Sequence, residues 1–351
     1  MKNIYKSIIA FLLIGAISLP AVVLAGNKDR AGQSGASELL INPWARSSGW
    51  GSVNVANGVG LEAMYTNIAG LGFTKGTELI FSNTQYLKGS EIGINSFGFS
   101  HKNSKGGVMG MSVMSMTFGD IPITTTSLPE GGIGNFSPNY MNINIAYAKG
   151  FSNSIYGGFN LKIISEVISD VSAQGVALDA GIQYVTGAKE NIHFGIALKN
   201  IGPTMRFRGD GLSIRSFLPN QESMFTLEQR SAEFELPSQL NIGAAYDIHI
   251  SDMHRVTIAG TFTSNSFFKD QYTLGLEYAL MSYLQLRGAY TYEDGITSDA
   301  DRTTVYTGPS AGFTVQIPFN KMKGSAFAVD YSYRATNPFE GSHCIAARLT
   351  F

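Results

Sequence analysis

Ser342-His343-Cys344-Ile345-Ala346-Ala347-Arg348-Leu349-Thr350-Phe351 closes the chain with a strict alternation. Ile345, Ala347, Leu349 and Phe351 fall on one face, and Cys344, Ala346, Arg348 and Thr350 on the other. A period of two is the period of a β-strand. An apolar outer face over a mixed inner face, ending in an aromatic, is the pattern of the closing strand of an outer-membrane barrel. Phe351 is therefore expected to carry the barrel-assembly signal. A soluble protein can also end on a strand, so the upstream residues have to agree.

They do. From Thr77 onward the chain breaks into alternating segments bounded by turn residues, predicting strands at 77–86, 91–101, 107–118, 139–149, 154–166, 172–185, 190–200, 237–248, 253–263, 271–280, 283–293, 307–318, 324–335 and 342–351. Alternate connections are short turns, whereas the other set contains every long one: 119–138, 201–236 and 294–306. Short turns at one end and long loops at the other are the outer-membrane pattern. Tyr272, Leu274 and Leu276 are placed on lipid, with Thr273, Gly275 and Glu277 inside. Met141, Ile143 and Ile145 repeat this against Asn142 and Asn144. Around Ser96 and Ser112–Ser115 the hydrophobic phase slips, which predicts a bulge or kink and a possible sideways opening of the wall. The fold class expected is all-β, a transmembrane antiparallel barrel of about 14 strands, spanning 77–351. A β-sandwich would satisfy the alternation but not the loop asymmetry.

The front end fits export. Lys2 and Lys6, the apolar run Ile8–Leu19 and Val23-Leu24-Ala25 predict a signal peptide over 1–25. No later run is apolar for about 18 residues, so no transmembrane helix is expected. Forty Gly, 22 Phe and 16 Tyr with only 15% charged residues suit turns, aromatic girdles and a lipid-facing wall. The net charge of -1 gives no reason to expect a nucleic-acid partner. Cys344 has no second cysteine to pair with.

Residues 26–76 do not read as membrane strand, and are expected to form an N-terminal plug or hatch. They contain Ala45-Arg46-Ser47-Ser48-Gly49-Trp50-Gly51-Ser52-Val53-Asn54-Val55-Ala56, then Asn67-Ile68-Ala69-Gly70-Leu71. With Gly119-Asp120-Ile121, Gly157–Lys162, Ile163–Glu166 and Ala177–Tyr184 in the same order, the chain resembles the PorV/PorQ family of outer-membrane proteins, itself similar to FadL-type channels. Ile68 stands where the family has proline. The resemblance implies a FadL-like barrel with an N-terminal hatch, acting in a type IX secretion system of Bacteroidetes-like bacteria. The partners it implies are a large translocon barrel, cargo bearing a C-terminal signal domain and a surface attachment complex, besides outer-membrane lipid. The alternative is a FadL-type channel for uptake of hydrophobic small molecules.

Several residues are candidates for sites. Arg46, Gly49, Gly51, Asn67, Gly70 and Leu71 form the plug motif, with Arg46 expected to anchor it to an acidic wall residue. Lys162, Asp179, Glu277, Arg287, Asp330 and Arg348 point into the lumen by phase, where inward charges are expected to pair. Ile121, Ile123, Leu128, Phe217, Leu218, Met224 and Phe225 are apolar residues in the long loops, available either as partner contacts or as lids. The acidic loop with Asp294, Asp299 and Asp301 matches no calcium motif. Of the five histidines, none sits in a nucleophile motif. No enzyme activity, cofactor or metal is expected.

Overall fold

The computed structural model describes residues 30–217, 223–320 and 324–351. The signal segment 1–25 and Leu218 lie outside them. Fourteen long strands follow one another in a single closed antiparallel sheet. They are β1 Thr77–Tyr86, β2 Ile92–Lys102, β3 Gly107–Thr117, β4 Asn139–Gly150, β5 Ile155–Ile168, β6 Val171–Thr186 and β7 Ile192–Ile201. The second half comprises β8 Gln239–His249, β9 His254–Asn265, β10 Gln271–Leu280, β11 Leu284–Glu293, β12 Tyr306–Asn320, β13 Ser325–Thr336 and β14 Ser342–Thr350. Each end lies within two residues of the sequence expectation.

Closure comes from β1 pairing with β14, Glu78 opposite Thr350 through Gln85 opposite His343. Phe351 continues this seam: its N–H donates to the Thr77 carbonyl and its own carbonyl accepts from Thr77 N–H. The outer face alternates as a lipid-facing wall should, with Phe81, Phe97, Ile145, Phe159, Ile182, Ile196, Leu276 and Ile345 all exposed. A closed ladder leaves no unpaired edge to hydrocarbon, which offers no hydrogen bonds.

The kink expected near Ser96 is absent. The β1–β2 and β2–β3 ladders run without a register shift. The hydrophobicity, not the backbone, changes phase there: Ile94, Met114 and Met116 are buried inside, while Asn95 faces out. Register shifts occur instead between β6 and β7 at Leu178/Ala180, and in β12–β13 at Tyr306/Ser310 and Pro318/Asn320. Above the end of β7, Phe207–Arg208 pairs with the top of the longer β6.

The chain before β1 fills the lumen. It contains a 3-10 turn at Ser37–Leu40, α1 Ala45–Gly49, α2 Ala63–Thr66 and a second 3-10 turn at Ile68–Phe73. Helices this short have no independent stability; contact with the wall holds them. Many glycines serve that contact rather than turns. A Cβ on inward Gly98 would lie 2.3 Å from Leu61, on Gly110 2.9 Å from Met64, on Gly181 2.1 Å from Asn67, on Gly195 2.3 Å from Val55 O, on Gly275 2.6 Å from Trp50 and on Gly312 3.2 Å from Gly49. These mid-strand glycines form a girdle that lets the hatch backbone press against the wall.

Because Leu276 faces lipid near mid-strand, Leu276→Arg is expected to lower stability by about 2–4 kcal/mol. Urea-driven refolding into lipid vesicles measures this; an unchanged midpoint would show that the face does not contact hydrocarbon.

Candidate functional site: a hatch-filled lumen divided lengthwise

The floor of the lumen is apolar. Trp44, Leu61, Met64, Ile68 and Leu71 of the hatch pack on Ile80, Val108, Ala146 and Cys344 of the wall. Asn67 caps the second 3-10 turn by accepting from Ala69 N–H. Its amide also donates to Val55 O at 2.9 Å and to Ile182 O of β6 at 3.0 Å. Gly70 sits so tightly that a Cβ would lie 2.1 Å from Gly58 O.

Beside this floor, a charged ladder crosses seven consecutive strands. Arg255 of β9 donates to Glu277 of β10 at 2.9 Å, and Arg287 of β11 donates to the same carboxylate at 2.6 Å. Arg287 also reaches Thr314 of β12 at 2.7 Å, and Thr314 donates to Asp330 of β13. Arg348 of β14 lies 3.5 Å from Asp330 and 4.0 Å from Glu78 of β1. Glu78 in turn accepts from the hatch amide of Leu61 at 2.8 Å. Separately, Lys162 of β5 pairs with Asp179 of β6 at 2.7 Å, and Asn160 donates to the same carboxylate.

Arg46 joins no ion pair among the described residues; it acts on Glu62, Glu78 and Glu277 through its field. The anchoring carboxylates of the hatch are Glu78 and the hatch's own Glu62, which accepts from Ser47 N–H at 3.0 Å. Neither was singled out from sequence. A signal existed: Glu62 is the only charged residue between Ser47 and Thr74. Its burial, reinforced by Asp330 and opposed by Arg46, Arg348 and Arg287, pushes its pKa up to about 7.

Toward the long-loop end the lumen divides into two sectors. The β2–β6 sector is mostly apolar: Ile94, Met114, Met116, Tyr140, Ile164, Ala173 and Ala177 face inward, with Asn142 and Glu166 among them. Ala36 and Leu39 of the hatch cover it from inside, and Met205, Phe234 and Leu236 of the 202–238 loop cover it from above. The β7–β11 sector is polar, lined by Asn241, Thr261, Thr263, Thr273 and Thr291, with Lys199 and Arg334 at its margins. Tyr65 stands between the sectors and lines the cavities of both. Its hydroxyl donates to Leu40 O.

The long loops behave in two ways. The base of the 202–238 loop is a lid, clasped to the hatch by Gly35 N–H donating to Glu235 O at 3.1 Å and by Arg30 pairing with Glu235 at 2.6 Å. Its tip is a hairpin, Ser213–Phe217 against Met224–Glu228, with Ile214, Phe217 and Met224 exposed and Phe225 partly covered. Ile121, Ile123 and Leu128 in the other loop are also exposed. The acidic loop closes on a protein cation: Lys269 Nζ donates to the carbonyls of Asp294 and Asp301, each at 2.8 Å, and Arg302 pairs with Asp299 at 2.9 Å. His193 has a partner the sequence did not show, Asp247 at 3.3 Å, whose other oxygen accepts from Thr257.

No protein-family model matches the chain, and no curated protein matches it by sequence. Solved structures do. The toluene transporter TbuX of Ralstonia pickettii superposes with a TM-score of 0.55 at 12% identity, covering 88% of this chain and 98% of that one. A FadL homologue of Pseudomonas aeruginosa gives 0.52 at 11% identity, covering 88% and 97%. The toluene transporter TodX of Pseudomonas putida gives 0.51 at 12%, covering 84% and 94%. The barrel is thus FadL-like in fold. The finer likeness to PorV/PorQ finds no support among these matches.

Both tryptophans of the chain, Trp44 and Trp50, are buried in the hatch, so their fluorescence reports its seating. Gly195→Val sets a side chain against the Val55 backbone. It is expected to unseat the hatch, giving red-shifted tryptophan emission and raised conductance in planar bilayers. Wild-type emission and conductance would refute the girdle.

Glu62 offers a second reading of seating. In the seated state it keeps its proton to about pH 7, whereas a released hatch ionises from the ordinary glutamate pKa of about 4.5. The seated state then binds more protons within that window, so seating weakens as pH rises through it. The urea midpoint of the tryptophan transition should fall between these pH values in wild type and stay level in Glu62→Gln. Parallel slopes would remove Glu62 from this role.

Proposed function

We propose that this chain is an outer-membrane channel for hydrophobic small molecules, closed at rest by its hatch and by the base of the 202–238 loop. The apolar β2–β6 sector carries the reading. A barrel wall that faces lipid outside needs polar residues inside only where water fills the lumen. Here β2 to β5 present Ile94, Met114, Met116 and Ile164 at the long-loop end where a solute would enter, with Asn142 beside them and Asn144 and Lys162 below. Moving apolar surface out of water is favourable by roughly 25 cal/mol per Å², so this sector retains a hydrocarbon where a polar channel would not.

The resting state is shut. The cavity beside Leu39, Trp44, Met64, Tyr65 and Met114 holds about 20 Å³, close to the space one water needs. A solute must therefore displace Ala36 and Leu39 from the wall, which requires undoing the clasp between residues 30–41 and the loop. That clasp is light: one strand-like contact, Ser34 with Glu235, the Gly35 N–H bond to Glu235 O, and a surface ion pair of modest strength. The fold similarity supports the same reading, since two of the similar barrels are described as toluene transporters.

One observation favours the secretion reading. The hairpin tip leaves Ile214, Phe217 and Met224 exposed, outside the apolar cluster that covers the lumen, so a lid has no use for them. Deleting 213–228 should abolish surface display of secreted cargo under that reading, and leave solute uptake intact under the channel reading.

The channel is tested by initial uptake of radiolabelled toluene into cells expressing the chain. Expression should raise uptake several-fold over an empty vector. Met114→Lys, which places a charge in the apolar sector, should return it to the vector level while the barrel keeps its heat-modifiable gel mobility. Equal uptake with and without the wild-type chain would sink the proposal.

A further inference from the structure

The polar sector has no role in passing hydrocarbons, and its charges do not balance. Lys199 is buried, 4% exposed, yet pairs with no carboxylate among the described residues. Its Nζ lies 3.8 Å from the centre of the Tyr65 ring. Arg334 is held in the same manner, its guanidinium 3.7 Å from the Tyr306 ring. A ring face attracts a cation, but less completely than the water it replaces.

The carboxylates that could serve are engaged elsewhere. Asp179 holds Lys162 at 2.7 Å and also accepts from Asn160 and from the Asn200 backbone. Glu293 accepts from Gln271 at 2.9 Å and from Thr303 at 2.6 Å. Lys199 and Arg334 thus flank one cavity without an anion of their own. Across it stand Thr263, Asn241 and the Thr273–Thr291 pair, which have hydroxyl or amide protons left to donate, whereas Thr261 donates to Val53 O and Gln239 to Asn265. The cavity measures about 70 Å³, several times the space of one water.

We propose that this chamber is a binding site for a small oxyanion, a carboxylate or a phosphate, held between Lys199 and Arg334 with the threonine wall completing its hydrogen bonds. Both cations sit near the long-loop ends of β7 and β13, so the ligand enters from the loop side. The site goes beyond the hydrocarbon route, because the two cations and the threonine wall that would hold the oxyanion belong to neither the apolar sector nor the lid. The oxyanion has two conceivable sources: a free solute, or the head of an amphiphile whose tail passes Tyr65 into the apolar sector.

Calorimetric titration of the full chain in a neutral detergent tests this, with sodium acetate, sodium phosphate and sodium octanoate as probes. Saturable binding is expected, weakened at least tenfold in Lys199→Met and in Arg334→Gln, and retained in Lys199→Arg. Octanoate binding much tighter than acetate, with the gain lost in Met114→Lys, identifies an amphiphile head; equal affinities identify a free anion. Heat-modifiable mobility shows which variants fold, and either neutralised cation suffices. No saturable binding of any probe, or binding indifferent to both neutralised cations, overturns the site. Toluene uptake in Lys199→Met separates the two proposals, since the hydrocarbon route should survive it.

Discussion

A barrel of fourteen strands encloses more volume than its own inward side chains fill; about eight strands is the size at which they suffice. Something else has to occupy the lumen, or water must. In this chain the residues before β1 occupy it, and much of the remaining structure answers to that requirement. The wall carries glycine at mid-strand on β2, β3, β6, β7, β10 and β12, where any side chain would strike the hatch. In return the hatch gives up regular structure: its helices are four and five residues long, too short to stand without the wall.

Filling the lumen creates a second demand. Hatch amides and carboxylates buried against the wall need partners. The ladder from Arg255 to Glu78 meets it on one side, ending on the Leu61 amide. Asn67 meets it on the other, binding both Val55 within the hatch and Ile182 of the wall. These contacts cluster in the lower lumen. Above them, residues 30–41 rely on a few contacts to a loop. The hatch is therefore anchored at its base and lightly held at its start. That gradient allows the upper lumen to open while the lower stays packed, since the least protected segments are the ones that open first.

The wall was legible in the sequence because period-two alternation between lipid and lumen is imposed at every strand by the membrane. The lumen was legible only where it is polar. Lys162 beside Asp179, and Glu277 beside Arg287, could be placed together by phase alone. On β2 and β3 the same rule misled. Ile94, Met114 and Met116 look like outward residues, so a correct strand reads as a kinked one. Their inward setting depends on Leu39 and Met205, distant residues that a local pattern does not contain. The glycines were similarly ambiguous: composition counts them, but only contact with Trp50 or Val55 separates a seat from a turn.

The unequal distribution of polarity around the wall has a mechanical consequence. The long run of charges lies on β9–β14 and β1, whereas the β2–β6 lumen face is mostly apolar at its loop end, with the Lys162–Asp179 pair at mid-strand. Ion pairs and hydrogen bonds require fixed distances and directions, whereas apolar contacts tolerate sliding because burial is non-directional. A hatch moving within this barrel therefore keeps its register against the charged side and slips along the apolar side. The space it vacates opens beside Met114 and Ile164 rather than beside Arg287. On the apolar side such a movement slides past Met114, Met116 and Ile164, above the Lys162–Asp179 pair, and the charged ladder need not break for it.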